Sequence, residues 1–212
     1  MGGCCGCAGG EWGGKGMRMR ESLAEKIRRV TAEEIDLALY DPRWPQLFCA
    51  EEARWRAWFP GRLGRIAHFG STAVPGLCAK PVVDMLIETT DPAWVRAQAA
   101  PFLEDQGYDY FWRPSFGDDV PPWYSWLIRR DDAGKRTHHI HVVEPDFEHW
   151  RRLHFRDYLI ARPDIAAEYG RLKTELAAAY AGDRVAYTRA KTDFILRTTA
   201  AAVAWAADRD EG

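Results

Sequence analysis

Between Arg65 and Val143 short apolar runs alternate with clusters of Gly, Pro and Asp, and beyond Asp146 the apolar residues recur at helical spacing. The first regime predicts strands and the second predicts helices. Residues 65–69 read as a short strand, 81–87 as an apolar strand broken only by Asp84, and 108–112 as a third strand. Residues 123–129 and 136–143 read as a hairpin around Arg130-Asp131-Asp132-Ala133-Gly134-Lys135. Residues 91–106 read as one helix stopped by Gly107. Upstream, Tyr40-Asp41-Pro42-Arg43-Trp44-Pro45 disfavours helix before each proline. A helix then runs over 45–58, with Leu47, Phe48, Trp55 and Trp58 on its apolar side and Glu51, Glu52 and Arg54 on its charged side, and Pro60-Gly61 ends it. Residues 21–29 form a charged, weakly helical lead-in. Val74-Pro75-Gly76-Leu77 has the residues of a type II turn. The 114–122 loop is long enough for a functional lid or an insert. In the last third, Ile165, Tyr169, Leu172, Leu176 and Tyr180 form one helical stripe. Tyr187, Lys191, Phe194, Ile195, Thr198, Ala202 and Trp205 form another.

No repeat or internal linker divides this pattern, and 212 residues suit one good-sized domain. The reading is a single α/β (α+β) domain over 36–207 with a helical C-terminal third. Residues 1–30 are set apart as a Gly/Cys-rich tail, disordered or the product of a mis-assigned start codon, with Met17 or Met19 a more natural beginning. Apolar content of 47% supports a packed core, and a net charge of −2 gives no electrostatic reason for a nucleic-acid partner. No apolar run reaches the roughly 18 residues that span a bilayer. Five cysteines without a secretion signal fit a reducing cytosol, and Cys49 and Cys78 read as small packed thiols. The expected location is cytoplasmic.

Candidate chemistry gathers on a few residues. Gly70-Ser71 closes a strand, where glycine admits close approach of a ligand and serine adds a hydroxyl donor. Such a pair either cradles phosphate or simply turns the chain. Asp84 is a carboxylate inside an apolar strand, costly unless something binds it. It either caps a neighbouring loop or ligates magnesium, a hard cation that favours oxygen donors. Lys80, four residues earlier, is a phosphate ligand or a salt-bridge partner. His139 and His141 share one face of their strand and could hold zinc or contact phosphate, or pack half-buried. His138 faces the other way. Lys173 and Lys191 border the apolar stripes of the C-terminal third, and Arg156 lies near them in sequence. Together these three cations could clamp a triphosphate or line a solvated face.

The segments 40–45, 68–87, 137–143, 155–159, 163–176 and 187–191 occur in an order that resembles the GrpB family of the nucleotidyltransferase superfamily. The stretch Gly70-Ser71-Thr72-Ala73-Val74-Pro75-Gly76-Leu77-Cys78-Ala79-Lys80-Pro81-Val82-Val83-Asp84 carries most of the likeness. The resemblance implies a nucleotidyltransferase-like mixed sheet flanked by helices. It implies a Gly-Ser loop that grips a nucleotide triphosphate, matched here by Gly70 and Ser71; the reading adds Thr72, Lys80, Arg156, Lys173, Tyr187 and Lys191 as further phosphate or nucleotide contacts. It implies that Asp84 is the first of the metal-holding carboxylates. His139 and His141 occupy the likely position of a third acid, so the reading gives catalytic roles to Asp84, His139 and His141, with Asp84 and His141 holding Mg²⁺. The activity expected is transfer of a nucleoside monophosphate to a small acceptor, with no nucleic-acid or membrane partner. The pattern departs at Leu86, where a second carboxylate is usual. Glu88 shares that face but lies roughly 13 Å from Asp84 at strand rise. The alternative is therefore a non-catalytic nucleotide- or coenzyme-A-binding domain, or a folding helper with a protein partner. A third expectation is a zinc hydrolase built on Asp84, His139 and His141.

Overall fold

The computed structural model describes residues 21–31, 35–115 and 120–210; the Gly/Cys-rich start lies outside them. Five strands build one mixed sheet: β1 (Ile66–Phe69), β2 (Val83–Glu88), β3 (Asp109–Pro114), β4 (Trp123–Arg130) and β5 (Arg136–Val143). Their spatial order is β1-β2-β5-β4-β3. The β2–β5 pair is parallel and the other three are antiparallel. The parallel pair decides the site, because its register sets Asp84 beside His139 and Leu86 beside His141.

Two helical layers cover the sheet. On one face lie α2 (Trp44–Trp58), α3 (Pro92–Trp94) and α4 (Ala100–Asp105), while α1 (Leu23–Thr31) places Val30 against Phe111 and Ile128 on the other, beside Trp126. The main core packs Trp44, Trp55 and Leu103 against Val83, Met85, Ile87, Leu127 and Ile140. On the opposite face lie a 3₁₀ turn (Glu148–Arg151), α5 (Arg152–Ala161), α6 (Pro163–Ala179), α7 (Arg184–Ala190) and α8 (Thr192–Asp210). There Val74, Leu77, Leu159, Tyr169 and Phe194 form a core of their own. Among the described residues no helix is long and apolar enough to cross a membrane.

The alternation of apolar and polar residues locates the strands to within two residues, and four details depart from the sequence pattern. The expected single helix over 91–106 changes to π-helical winding over Val95–Ala99 between α3 and α4. Pro101 stands two residues beyond; it has no N–H to donate and its ring would strike the carbonyl four residues back, so the backbone widens there. The expected stripe from Tyr187 to Trp205 is two helices, not one, broken at Lys191. Thr192-Asp193 starts the second with an acid in its first turn, where the helix dipole favours it. Cys49 is exposed rather than packed. Glu51, placed by its spacing on the charged side of α2, is fully buried. It accepts hydrogen bonds from Trp55 Nε1 at 3.0 Å, from the Tyr108 hydroxyl, and from Arg129 Nη1 at 2.9 Å. A buried carboxylate is tolerable when its lone pairs are filled in this way.

Candidate functional site

The site begins where β1 ends. Gly70 adopts φ 73° and ψ −171°, a conformation essentially reserved for glycine. A Cβ there would lie 2.4 Å from Asp84 Oδ2. The absent side chain therefore lets the carboxylate rest against the backbone of the Gly-Ser turn. Ser71–Ala73 then winds one 3₁₀ turn, held by Ala73 N donating to Gly70 O at 3.2 Å. The expected turn at 74–77 closes through Leu77 N to Val74 O at 3.2 Å, with Gly76 at φ 78°. A two-way backbone bridge, Ala38 with Ala79, pins the segment that delivers Lys80.

Asp84 Oδ1 lies 3.1 Å from His139 Nδ1, and His139 Nε2 lies 3.3 Å from Arg136 Nη1. A guanidinium can only donate, so Nε2 accepts and the imidazole proton resides on Nδ1, which donates to Asp84. Burial holds the His139 pKa down despite the Asp84 carboxylate, consistent with this neutral tautomer. His139 thus orients Asp84, and Oδ2 faces the Gly70 turn.

Lys80 and Lys191 approach the same place from different elements. Both ammonium groups stand over the Tyr187 ring, at 5.6 and 4.1 Å from its centroid. Among the described residues neither has a carboxylate within ion-pair distance. Burial, then the charges of Arg184 and Lys191, push Lys80 down to about 7, with Asp84 opposing. Burial pushes Lys191 down to about 8, again with Asp84 opposing. Lys173 is also held to about 8 by burial; it donates to Cys78 O and stands 4.7 Å over the Tyr169 ring. Half-buried cations crowded together without counter-ions concentrate positive potential, the electrostatic setting that an anion would offset.

The structure thus brings together Gly70, Ser71, Asp84, His139, Lys80, Lys191 and Tyr187, with Lys173 beside them. It engages Thr72 and Arg156 elsewhere. Thr72 is buried, its hydroxyl 2.9 Å from His68 Nε2. Arg156 donates to His68 O at 2.7 Å and pairs with Asp157. His141 lies two residues along β5 from His139, beside Leu86 and stacked on Tyr124 at 5.3 Å. Glu88, the other acid on the Asp84 face, is tied to Arg65 at 2.6 Å. Among the described residues no three His, Cys, Asp or Glu side chains group as a metal cluster. That is a poor fit to zinc, which takes three or four protein ligands. It fits magnesium better, which is held by one or two carboxylates and completed by phosphate oxygens and water. Asp84 Oδ2 is the protein donor such an ion would use.

Residues 34–201 match the model of the GrpB protein family. The chain belongs to the GrpB family. It is 40% identical over 181 residues to a UPF0157 protein of Pseudomonas aeruginosa, covering 81% of this chain and 69% of that one. It is 32% identical over 168 residues to the glutamate-rich protein GrpB of Alkalihalophilus pseudofirmus, covering 78% and 94%. It covers 50% of a UPF0157 protein of Bacillus subtilis at 33% identity. The crystal structure of the conserved protein GrpB from Enterococcus faecalis superposes with a TM-score of 0.67 at 31% identity, covering 79% of this chain and 96% of that one. The mixed α/β architecture is therefore the GrpB fold. The Cid1 poly(U) polymerase, whose structure holds Mg and 3'-dATP, matches at 13% identity and a TM-score of 0.44, over 73% and 49% of the two chains; at that level the likeness carries no argument.

Sequence reasoning passed over Arg136, whose guanidinium fixes the His139 tautomer. A signal for it exists: it lies three residues before His139 in β5, at the mouth of the hairpin. It also passed over Arg113, Tyr124, His149 and Arg152, which surround His141 and come from separate elements of the chain.

Proposed function

We propose that this GrpB domain binds a nucleoside triphosphate as its magnesium complex and transfers the nucleoside monophosphate to a small acceptor. One observation carries the reading: Gly70 leaves room for the Asp84 carboxylate against the Gly-Ser turn, while Lys80 and Lys191 converge on the same end without counter-ions. The turn offers backbone and hydroxyl donors to phosphate oxygens, and the lysines offset triphosphate charge. His139 holds Asp84 in place. Magnesium, when bound, supplies charge stabilisation at the phosphates. In the transfer, an acceptor oxygen bonds to the α-phosphorus while the bond from that phosphorus to pyrophosphate breaks. Pyrophosphate leaves with the electron pair, and the acceptor proton passes to solvent.

The test is a thermal-shift panel of nucleoside triphosphates with and without Mg²⁺, on wild type and Asp84→Asn. A ligand at 100 times its dissociation constant stabilises the fold by about 2.7 kcal/mol. A magnesium-dependent shift lost in the variant supports the reading, and pyrophosphate release identifies transfer. An Asp84→Asn protein that still transfers overturns it. Leu86 at the second-carboxylate position, with Glu88 occupied by Arg65, favours a second reading: a domain that binds a nucleotide or coenzyme A without turnover. A shift without pyrophosphate release selects it.

A further inference from the structure

Beyond Asp84, on the same sheet face but away from the lysines, lies a second polar cluster. Its members are Arg113 from the end of β3, Tyr124 and Trp126 from β4, His141 from β5, and His149 and Arg152 from the turn into α5. His141 is 7% exposed, and its Nδ1 has no hydrogen-bond partner. Trp126 Nε1, likewise buried, has none either. The two rings are 6.4 Å apart. An indole N–H can only donate, so the missing partner is an acceptor. A buried donor left empty costs free energy, and such exceptions among buried groups call for an explanation.

Two guanidinium groups nearby add further donors. Arg113 stands 5.0 Å over Trp126 and 5.9 Å over Tyr124. Arg152 donates to His149 Nε2 at 3.0 Å and stands 5.5 Å over Phe69. Among the described residues neither arginine forms an ion pair. Among the described residues the carboxylates acting on Arg152 are Asp84 and Glu148. Glu148 is engaged by the Ser115 hydroxyl and lies 3.7 Å from His149 Nδ1. The charged groups acting on His141 are the guanidiniums of Arg152 and Arg113. Those acting on Lys80 are Arg184, Lys191, Asp84 and Arg136. Asp84 acts on Lys80 and on Arg152 alike, so it stands between two cationic clusters.

We propose that this second cluster, of Arg113, Trp126, His141 and Arg152, is the acceptor subsite, and that the acceptor is a small molecule bearing a carboxylate or phosphate. The assignment as acceptor rests on the transferase reading above; the anion site itself rests on the unfilled donor and the two arginines. The anion's oxygens take the Trp126 N–H and the guanidinium donors, a geometry suited to planar, bidentate capture. The rest of the acceptor then extends toward Asp84.

The experiment is a titration with inorganic phosphate and, separately, acetate, followed by ¹H–¹⁵N NMR of the indole N–H and imidazole resonances. Trp126→Phe assigns its own peak. Saturable shifts of the Trp126 indole and His141 imidazole are expected, and the probe that saturates at lower concentration distinguishes phosphate from carboxylate. Arg152→Gln should weaken that response by roughly tenfold, the loss expected for a charge-assisted hydrogen bond. Arg113→Gln, at a strand end, serves if Arg152→Gln does not fold. An unresponsive Trp126 and His141, or a response unchanged in both arginine variants, overturns the subsite whatever the nucleotide panel shows. A response at His141 without any nucleotide binding supports the anion site and overturns its assignment to an acceptor.

Discussion

Gly70 is the residue whose replacement separates site from fold most sharply. Gly70→Ala introduces a side chain where φ is 73° and where Asp84 Oδ2 would lie 2.4 Å away. The conformational strain is about 1–3 kcal/mol, and each kcal/mol lowers Tm by about 2–4 °C in a domain of this size. The carboxylate is the end of a movable side chain, so it swings away and the fold survives. The expected outcome is a modest fall in Tm with loss of magnesium-dependent nucleotide binding; unchanged binding would remove Gly70 from the site. Lys80 gives the pH signature. Its folded pKa of about 7 lies below the ordinary lysine value, so above pH 7 the folded protein lacks a proton that the unfolded chain still binds. Its contribution to stability therefore rises with pH from about 7 toward the unfolded value. A bound polyanion reverses the shift and draws the proton back. Calorimetry at pH 8 in buffers of different ionisation enthalpy should show proton uptake with nucleotide, and affinity should fall as pH rises from 7 to 9. Proton-neutral binding at pH 8 would mean that the lysines do not face the phosphates.

At the scale of elements, the two faces of β5 divide the labour. His139 and His141 face the site, whereas His138 turns to α2, its Nε2 3.4 Å from Leu47 O. The strands, the α2 helix and the hairpin are legible in the sequence because period-two and helical spacing follow directly from which face is buried. The same period of two sets His139 and His141 on one face of their strand. It cannot rank them, since the choice of His139 as Asp84's partner depends on the parallel β2–β5 register, a long-range pairing with no local signal. It misplaces Glu51, because spacing reports side-chain polarity and not the partners that α2 meets across the core. Glu51→Ala tests that division. Removing a buried carboxylate that accepts from Trp55, Tyr108 and Arg129 should cost about 3 kcal/mol by urea unfolding. Nucleotide affinity should hold, since the network lies on the opposite face of the sheet. A stable Glu51→Ala protein would show that the buried charge contributes nothing net.

For the whole molecule, the candidate site is a joint between layers rather than a pocket within one. The Gly-Ser turn and Asp84 belong to the sheet, while Lys173, Tyr187 and Lys191 belong to α6, α7 and the break before α8. The apolar cluster of Val74, Leu77, Leu159, Tyr169 and Phe194 already ties the turn to those helices. Lys80 and Lys191, one from each layer, meet over Tyr187 and repel one another. A polyphosphate between them replaces that repulsion with attraction to both sides, so ligand binding should tighten the joint and leave the α2–α4 face untouched. Hydrogen exchange reads this directly. With saturating nucleotide and Mg²⁺, amides of residues 70–80 and of α6 and α7 should slow, and those of α2 should slow only as far as global stability rises. Local openings set exchange in the less stable segments, so protection confined to the joint marks ligand contact rather than general stabilisation. Uniform slowing across both faces would place the ligand outside this joint. Protection of the 70–80 segment alone would leave the lysines of the C-terminal third without a part in binding.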